Sequence, residues 1–393
     1  MRARAEGPLA RAAIVLAVFL AGFNMRAALV AAMPLLEVMR LDLETNRTVI
    51  GLLTTLPVLL MGLVAPLAPK IAGRARLEVV LATTMFLVAA SALFRVWGGL
   101  TVLFATAAFM GIAIAIGQPL VMGFTKARFA SHVAIMTGVY AAGVNVGAAA
   151  AARSALPIYE SSGDWRNSLA IWAVPALASG LLWVLLPTRS TVEPRRLGDV
   201  AVWRLAKAWA LAVFFAITVL VYYSVLTWLA PAFIDQGWSP VQAGILLSNF
   251  SLLQLPGTLG FPWLAGRTGT YRPWLVITIA LTAGGLLMAA FGGSVSPWLV
   301  VVALGIGTGG MFPLCLALPI ANARDTRTAA SLSAMSFAVG YGAGAIGPSL
   351  VGWLRDTTGG FAVAFVTLAA LTLVQLAFVP RVVPRTPEIQ PAL

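Results

Sequence analysis

The sequence predicts an all-α integral membrane fold, with twelve transmembrane helices in two pseudo-symmetric bundles of six. Three observations carry this. Of 393 residues, 60% are hydrophobic and 10% charged, where a soluble domain carries roughly 25% charged, and mean hydropathy is +0.93. The apolar residues fall in runs of about 20, the length of a bilayer-crossing helix. The pattern of runs repeats once along the chain.

The runs lie near 11–38, 48–69, 78–95, 100–123, 133–156, 168–187, 207–233, 241–264, 275–292, 298–321, 329–353 and 361–380. Several contain Gly and Pro, which membrane helices tolerate. The first, Leu9–Met39, reads as one apolar helix with Arg26 near its middle, flanked by uncharged Ala12–Met25 and Ala27–Met33. A mid-membrane arginine costs roughly 2.5–3.5 kcal/mol on insertion scales, and it keeps its proton. Glu37 is eleven residues on, about 16 Å along the axis and too far to pair. Arg26 must therefore face something polar: a water-filled cavity, other helices or an anionic ligand.

The intervals between runs set the orientation. Alternate intervals hold Arg2, Arg4, Arg11; Lys70, Arg74, Arg76; Lys126, Arg128; Arg189, Arg195, Arg196, Arg204, Lys207; Arg267, Arg272; Arg324, Arg327; and Arg381, Arg385. The others keep Arg40, Arg47, Arg95, Arg166 and Arg355. By the positive-inside rule both termini are cytoplasmic, as an even number of spans requires. The longest charged interval, Thr188–Lys207, divides the chain into an N-terminal bundle (1–187), a cytoplasmic linker (188–206) and a C-terminal bundle (207–393). Its basic residues suit an anionic inner leaflet.

The halves repeat in the same direction. Gly51, Leu53, Pro69, Ala72, Gly73 and Arg74 recur 193 residues later as Gly244, Leu246, Pro262, Ala265, Gly266 and Arg267. Gly111, Pro119 and Leu120 recur as Gly305, Pro313 and Leu314; Gly143 and Gly147 recur as Gly340 and Gly344. A parallel duplication places a site at the interface of the halves.

Six plus six spans, a central linker and basic loops after spans two and eight resemble the major facilitator superfamily over essentially the whole chain. More narrowly, Asn24-Met25-Arg26-Ala27-Ala28-Leu29, Pro34-Leu35-Leu36, Gly51 through Val58, Ala65 through Pro69, Trp165-Arg166 and Gly347-Pro348 through Gly352-Trp353-Leu354 resemble the cyanate permease and nitroimidazole exporter family. The resemblance implies alternating access, a bacterial inner-membrane location, a small anionic or nitro-aromatic substrate, and a monomer. One departure stands out: Pro66 through Arg74 carries no acidic residue, so the inter-bundle latch that such an acid helps build in the wider superfamily is in doubt.

Arg26 is the first candidate substrate-binding residue, as the charge that attracts an anion. The alternative is a structural arginine met by helix-end carbonyls or tyrosines. Asn24, two residues away, lies about 200° round the helix, and both cannot face one cavity squarely. Arg153 in span five sits about 30 Å above its cytoplasmic start, as an outer vestibule charge or a snorkelling boundary residue. Asn145, between Gly143 and Gly147, is a ligand candidate, though glycines four apart also serve close helix approach. Its counterpart segment holds Tyr341. Tyr222 and Tyr223 lie in span seven, and Tyr223 stands 197 residues after Arg26, as its counterpart. A phenol there can donate to an anion or stack on a flat ring. Gln118, Asn249 and Gln254 are further donors. His132, at the cytoplasmic edge of span five, reads as solvated.

No Asp or Glu lies deep in any run; Glu37, Glu78 and Asp235 sit at ends. This argues against cation transport through a buried carboxylate. No phosphate loop, nucleophile–base pair or paired carboxylates are present, so neither an ATP-driven protein nor an enzyme is expected. One histidine and one cysteine leave no disulfide and little for a metal site; no cofactor is expected. The charge of +13 reflects short basic loops beside lipid, not nucleic-acid binding. The expected function is secondary-active transport of a small monovalent anion, with a cyanate-like, nitrate-like or small carboxylate ligand on Arg26. The alternative is an efflux transporter of flat neutral or weakly acidic organics, nitroimidazole-like compounds among them.

Overall fold

A computed structural model describes residues 8–68, 76–129, 133–186, 200–291, 295–323 and 326–384. The basic loop after span two, most of the charged linker and His132 lie outside the described residues.

The first half forms α1 (Pro8–Val30), α2 (Leu36–Asp42), α3 (Arg47–Val64), α4 (Leu77–Phe94), α5 (Leu100–Arg128), α6 (Val133–Ser162), α7 (Trp165–Ala170) and α8 (Ala173–Leu185). The second forms α9 (Ala206–Asp235), α10 (Pro240–Thr268), α11 (Arg272–Ala290), α12 (Pro297–Ala321), α13 (Thr326–Gly344), α14 (Gly347–Thr358) and α15 (Ala362–Val382).

Three expected single helices are broken, the sixth run among them, between Ala170 and Ala173. The first run stops at Val30, passes through a 3-10 turn at Met33–Leu35 and resumes as α2. Pro34 explains this: it donates no N–H, and its ring clashes with the carbonyl four residues back, that of Val30. The eleventh run breaks between Gly344 and Gly347 for the same reason, with Pro348 set four residues after Gly344.

By length and composition, eleven helical stretches among the described residues can cross a membrane. α10 is as long, at 29 residues, yet fails on polarity through Gln242, Ser248, Asn249, Ser251 and Gln254. Ser248, Ser251 and Gln254 are buried against protein, where polar groups find partners that lipid cannot offer.

Both halves use the same helix pairing. In the first, α1 packs on α6, α3 on α5 and α4 on α8. In the second, α9 packs on α13, α10 on α12 and α11 on α15. The repeated glycines make the close approaches. A Cβ on Gly143 would meet the carbonyl of Phe19, and one on Gly340 would meet the Phe215 ring. A Cβ on Gly111 would strike Pro57 of α3, and one on Gly305 would strike Leu253 and Phe250 of α10.

The halves meet along α3 with α13 and α14, and along α6 with α10. Gly51 faces the Pro348 backbone, and its repeat partner Gly244 faces the Ala152 carbonyl. The Gly51 and Gly244 contacts lie at the end of the molecule away from the α8–α9 connection, the far end, while Gly62 packs on Tyr341 and Gly342 lower down. At the far end Asp356 of α14 accepts from the Thr48 backbone N–H and hydroxyl, each at 3.0 Å. Arg47 lies 3.8 Å from Asp356 and donates to Glu37 at 2.7 and 3.0 Å. Thr55 and Ser349 share a hydrogen bond of 2.9 Å. A polar chain thus runs from α2 through the start of α3 into α14.

Candidate substrate cavity

Between the halves lies a cavity of about 210 Å³. Apart from α1, which contributes from its last two turns before the break at Pro34, each contributing helix presents residues from its middle or from its part nearer the α8–α9 connection. From α1 come Met25 and Arg26; from α5, Gln118 and Met122; from α6, Thr137, Tyr140 and Asn145. From α9 come Tyr222 and Tyr223; from α10, Gln254 and Thr258; from α12, Phe312. Thr137 is four residues into α6 and Met122 six from the end of α5. The cavity therefore runs from mid-height towards the connection end, and the contacts just described close it at the far end.

Arg26 is the charge at its inner limit. Its guanidinium carbon is 5.4 Å from the Tyr222 ring centroid and 5.7 Å from that of Tyr223. Cations within about 6 Å of an aromatic face are attracted by the ring quadrupole. The two rings stand edge to face, with centroids 5.1 Å apart. One terminal nitrogen of Arg26, Nη1, is buried without a hydrogen-bond partner. No ion pair holds Arg26 among the described residues. Four of the six tyrosines in the chain, Tyr140, Tyr222, Tyr223 and Tyr341, gather close enough to feel its charge. The hydroxyl of Tyr223 points to the sulfur of Met61 at 3.7 Å, and that of Tyr140 to the sulfur of Met25 at 3.9 Å. Thioethers are weak acceptors, so both hydroxyls can turn to a better partner.

Arg26, Gln118, Asn145, Tyr222 and Tyr223 all line this cavity, and Gln254 joins them. Four other expected site residues do not. Asn24 is buried on the opposite side of α1, donating to the Leu20 carbonyl at 2.7 Å and the Pro175 carbonyl of α8 at 3.2 Å. Its position about 200° round the helix dictates this. Arg153 is exposed on the outside of the bundle and touches no part of the cavity. Asn249 turns its amide back to the Ile245 carbonyl at 2.8 Å. Tyr341 is buried one rank behind the wall, with its ring 5.5 Å from Phe215 and 6.5 Å from Tyr223.

Sequence reasoning missed Tyr140, Thr137, Thr258 and the methionines Met25, Met61 and Met122. A signal existed for the α6 pair: Thr137, Tyr140, Val144 and Asn145 follow helical spacing on one face. Polar or aromatic residues on the Asn145 face of an otherwise apolar helix mark what that face meets. The methionines carry no such signal, since any apolar face can hold them. In place of carboxylates the lining offers one guanidinium, amides, hydroxyls and thioethers around flat rings. Such a wall suits a ligand with one anionic or strongly accepting end and an apolar or flat body.

Comparison with protein families matches the chain to the Major Facilitator Superfamily over residues 14–345 and again over 231–392. The 2-nitroimidazole transporter of Escherichia coli is 31% identical over 381 residues, covering 94% of each chain. The cyanate transport protein CynX of Escherichia coli is 28% identical over 374 residues, covering 93% of this chain and 97% of its own. Among solved structures, a bacterial homolog of the human lysosomal transporter Spinster, inward-facing and occupied, superposes with a TM-score of 0.72 at 17% identity. It covers 96% of this chain and 97% of that one, which establishes the fold.

Proposed function

The chain belongs to the major facilitator superfamily of membrane transporters, and on that premise we propose that it carries a small monovalent anion by alternating access, with Arg26 as the substrate-binding charge. The observation behind this reading is the unpaired Nη1 of Arg26 at the inner limit of the cavity, with two tyrosine faces beside the guanidinium. Arg26 is half-buried with its Nη1 out of contact with water; a cation so placed without a counter-charge is costly, and an incoming anion offsets that cost. One fixed charge suits a monoanion better than a phosphate or a dicarboxylate. Gln118, Asn145, Gln254 and the Tyr223 hydroxyl supply orienting hydrogen bonds. With both termini in the cytoplasm of a bacterial inner membrane, this conformation is inward-open.

A second reading rests on the rest of the lining. Met25, Met61, Met122 and Phe312 give the cavity soft apolar walls, and its volume exceeds what a triatomic ion fills. These features favour export of flat neutral or weakly acidic organics, nitroimidazole-like compounds among them, held by the apolar walls and ring faces with Arg26 in a structural role. A thermal-shift screen of purified protein against small anions and nitro-aromatics, run beside Arg26→Ala, separates the two. Stabilisation by anions that vanishes in Arg26→Ala supports the first. Shifts by neutral nitro-aromatics that survive the substitution support the second and leave Arg26 a structural role.

A further inference from the structure

A second buried arginine lies just behind the cavity wall. Arg95 closes α4 in a 3-10 turn, Arg95–Trp97, and is 5% exposed. Its Nη1 donates to the Ala28 carbonyl at 3.2 Å and its Nη2 to the Met110 sulfur at 3.5 Å. Its Nε is buried with no partner. No ion pair holds it among the described residues. Beside it is a void of about 10 Å³, bounded by Leu29, Met33, Thr54 and Leu103. That is room for one water-sized particle. The Thr54 hydroxyl borders the same void; its contact to the Met33 sulfur, at 3.6 Å, is to a weak acceptor, so its proton can turn to a better one.

The charge balance does not close on protein groups. Ala28 lies in the last turn of α1, just before the break at Pro34. The negative end of a helix dipole is worth about half a charge, and a thioether contributes none. The guanidinium cannot shed its proton. What is missing is one small particle that carries a negative charge, accepts from an N–H and an O–H, and donates nothing.

We propose that Arg95, with the Thr54 hydroxyl, holds a resident halide ion, chloride under ordinary conditions, in the void behind Leu29. The site is too small for a carboxylate or a phosphate. Leu29 borders both this void and the large cavity, so the halide sits one side chain from the Arg26 chamber. It is a separate site, on residues that the transport reading does not use.

The test is thermal unfolding of the purified protein, moved from gluconate into chloride or bromide at constant ionic strength. The variants are Arg26→Ala, Arg95→Gln and Arg95→Lys. About 100 mM chloride raises Tm by about 2 °C in wild type and in Arg26→Ala. Arg95→Gln loses this increment, and Arg95→Lys keeps part of it. No halide response in wild type would overturn the proposal, leaving water in the void. A response that persists in Arg95→Gln but disappears in Arg26→Ala would also overturn it, moving the halide to the main cavity. Should Arg95→Gln fail to fold, anomalous diffraction from bromide-soaked wild-type crystals decides: a peak beside the Arg95 guanidinium supports the site, and its absence refutes it.

Discussion

Arg26 meets two tyrosine ring faces and no carboxylate among the described residues, a setting that serves a structural arginine as well as a ligand-binding one, and the two roles separate residue by residue. A lysine keeps the charge but loses the planar fork that matches a carboxylate or nitro group with two parallel hydrogen bonds. Arg26→Lys is expected to retain ligand binding with Kd raised about tenfold, a loss of about 1.4 kcal/mol, read by isothermal titration. Unchanged affinity would mean that the ligand never engages the fork. Tyr223 divides into two contributions. Tyr223→Phe keeps the face that meets Arg26 and removes the hydroxyl, so Tm of the ligand-free protein stays while affinity falls. Tyr223→Leu removes the face as well, and the lost cation–π attraction of about 0.5–2 kcal/mol lowers Tm before any ligand is added. Equal Tm values for the two variants would count against a stabilising ring face. The meeting of Arg26 and Tyr223 was legible in the sequence, because the two stand at equivalent positions of a repeat whose halves face each other. Arg95 was not: at the end of a run it reads as one more loop charge, and only the packing of α1, α3 and α5 around it shows it buried.

At the scale of elements, α3 begins with two caps of different origin. Asn46, its own N-cap, accepts from the Val49 N–H at 2.8 Å; Asp356, from the other half of the molecule, accepts from Thr48. A carboxylate at a helix N-terminus meets both free N–H groups and the positive end of the dipole. Because Asp356 reaches α3 only when α14 is docked, it stabilises the closed far end specifically. Asp356→Ala is expected to cost about 1–2 kcal/mol of that state, raising the far-end-open population about 5–30-fold. The measurement is the modification rate of a cysteine placed at Ser349, with buried Cys315 left in place. Arg355→Gln is the control, since it breaks an ion pair to Asp235 that lies within the second half, and the rate should not move. An unchanged rate in Asp356→Ala would remove the latch. The sequence could not display this contact, whose residues are 308 apart. It did display the glycines that let the helices approach. The breaks after Val30 and Gly344 escaped it because membrane helices accommodate many prolines, such as Pro57 and Pro119, so a proline alone does not announce which helix it will break.

For the whole molecule, the cost of transport depends on what happens to the Arg26 charge when both ends are shut. With the connection end open, water reaches the cavity and screens the guanidinium. A carrier that alternates access must pass through an occluded state, where the same charge loses that water. Tyr222 and Tyr223 offset part of the loss, but no carboxylate among the cavity-lining residues can complete it. The residual penalty for an unpaired buried ion is of the order of several kcal/mol. On the proposed anion reading, a bound anion removes that penalty, so the loaded carrier would cross the occluded state more easily than the empty one. The expected consequence is exchange faster than net flux. In proteoliposomes loaded with labelled substrate, adding unlabelled substrate outside should accelerate efflux about tenfold or more, since each 1.4 kcal/mol removed from a barrier is a factor of ten. Arg26→Gln, which deletes the charge, should abolish that acceleration even where some transport survives, because the empty carrier then has no cation to desolvate. Efflux that ignores external substrate in wild type would mean that the tyrosines alone suffice to carry the bare guanidinium through occlusion, and the anion would no longer be needed to complete the cycle.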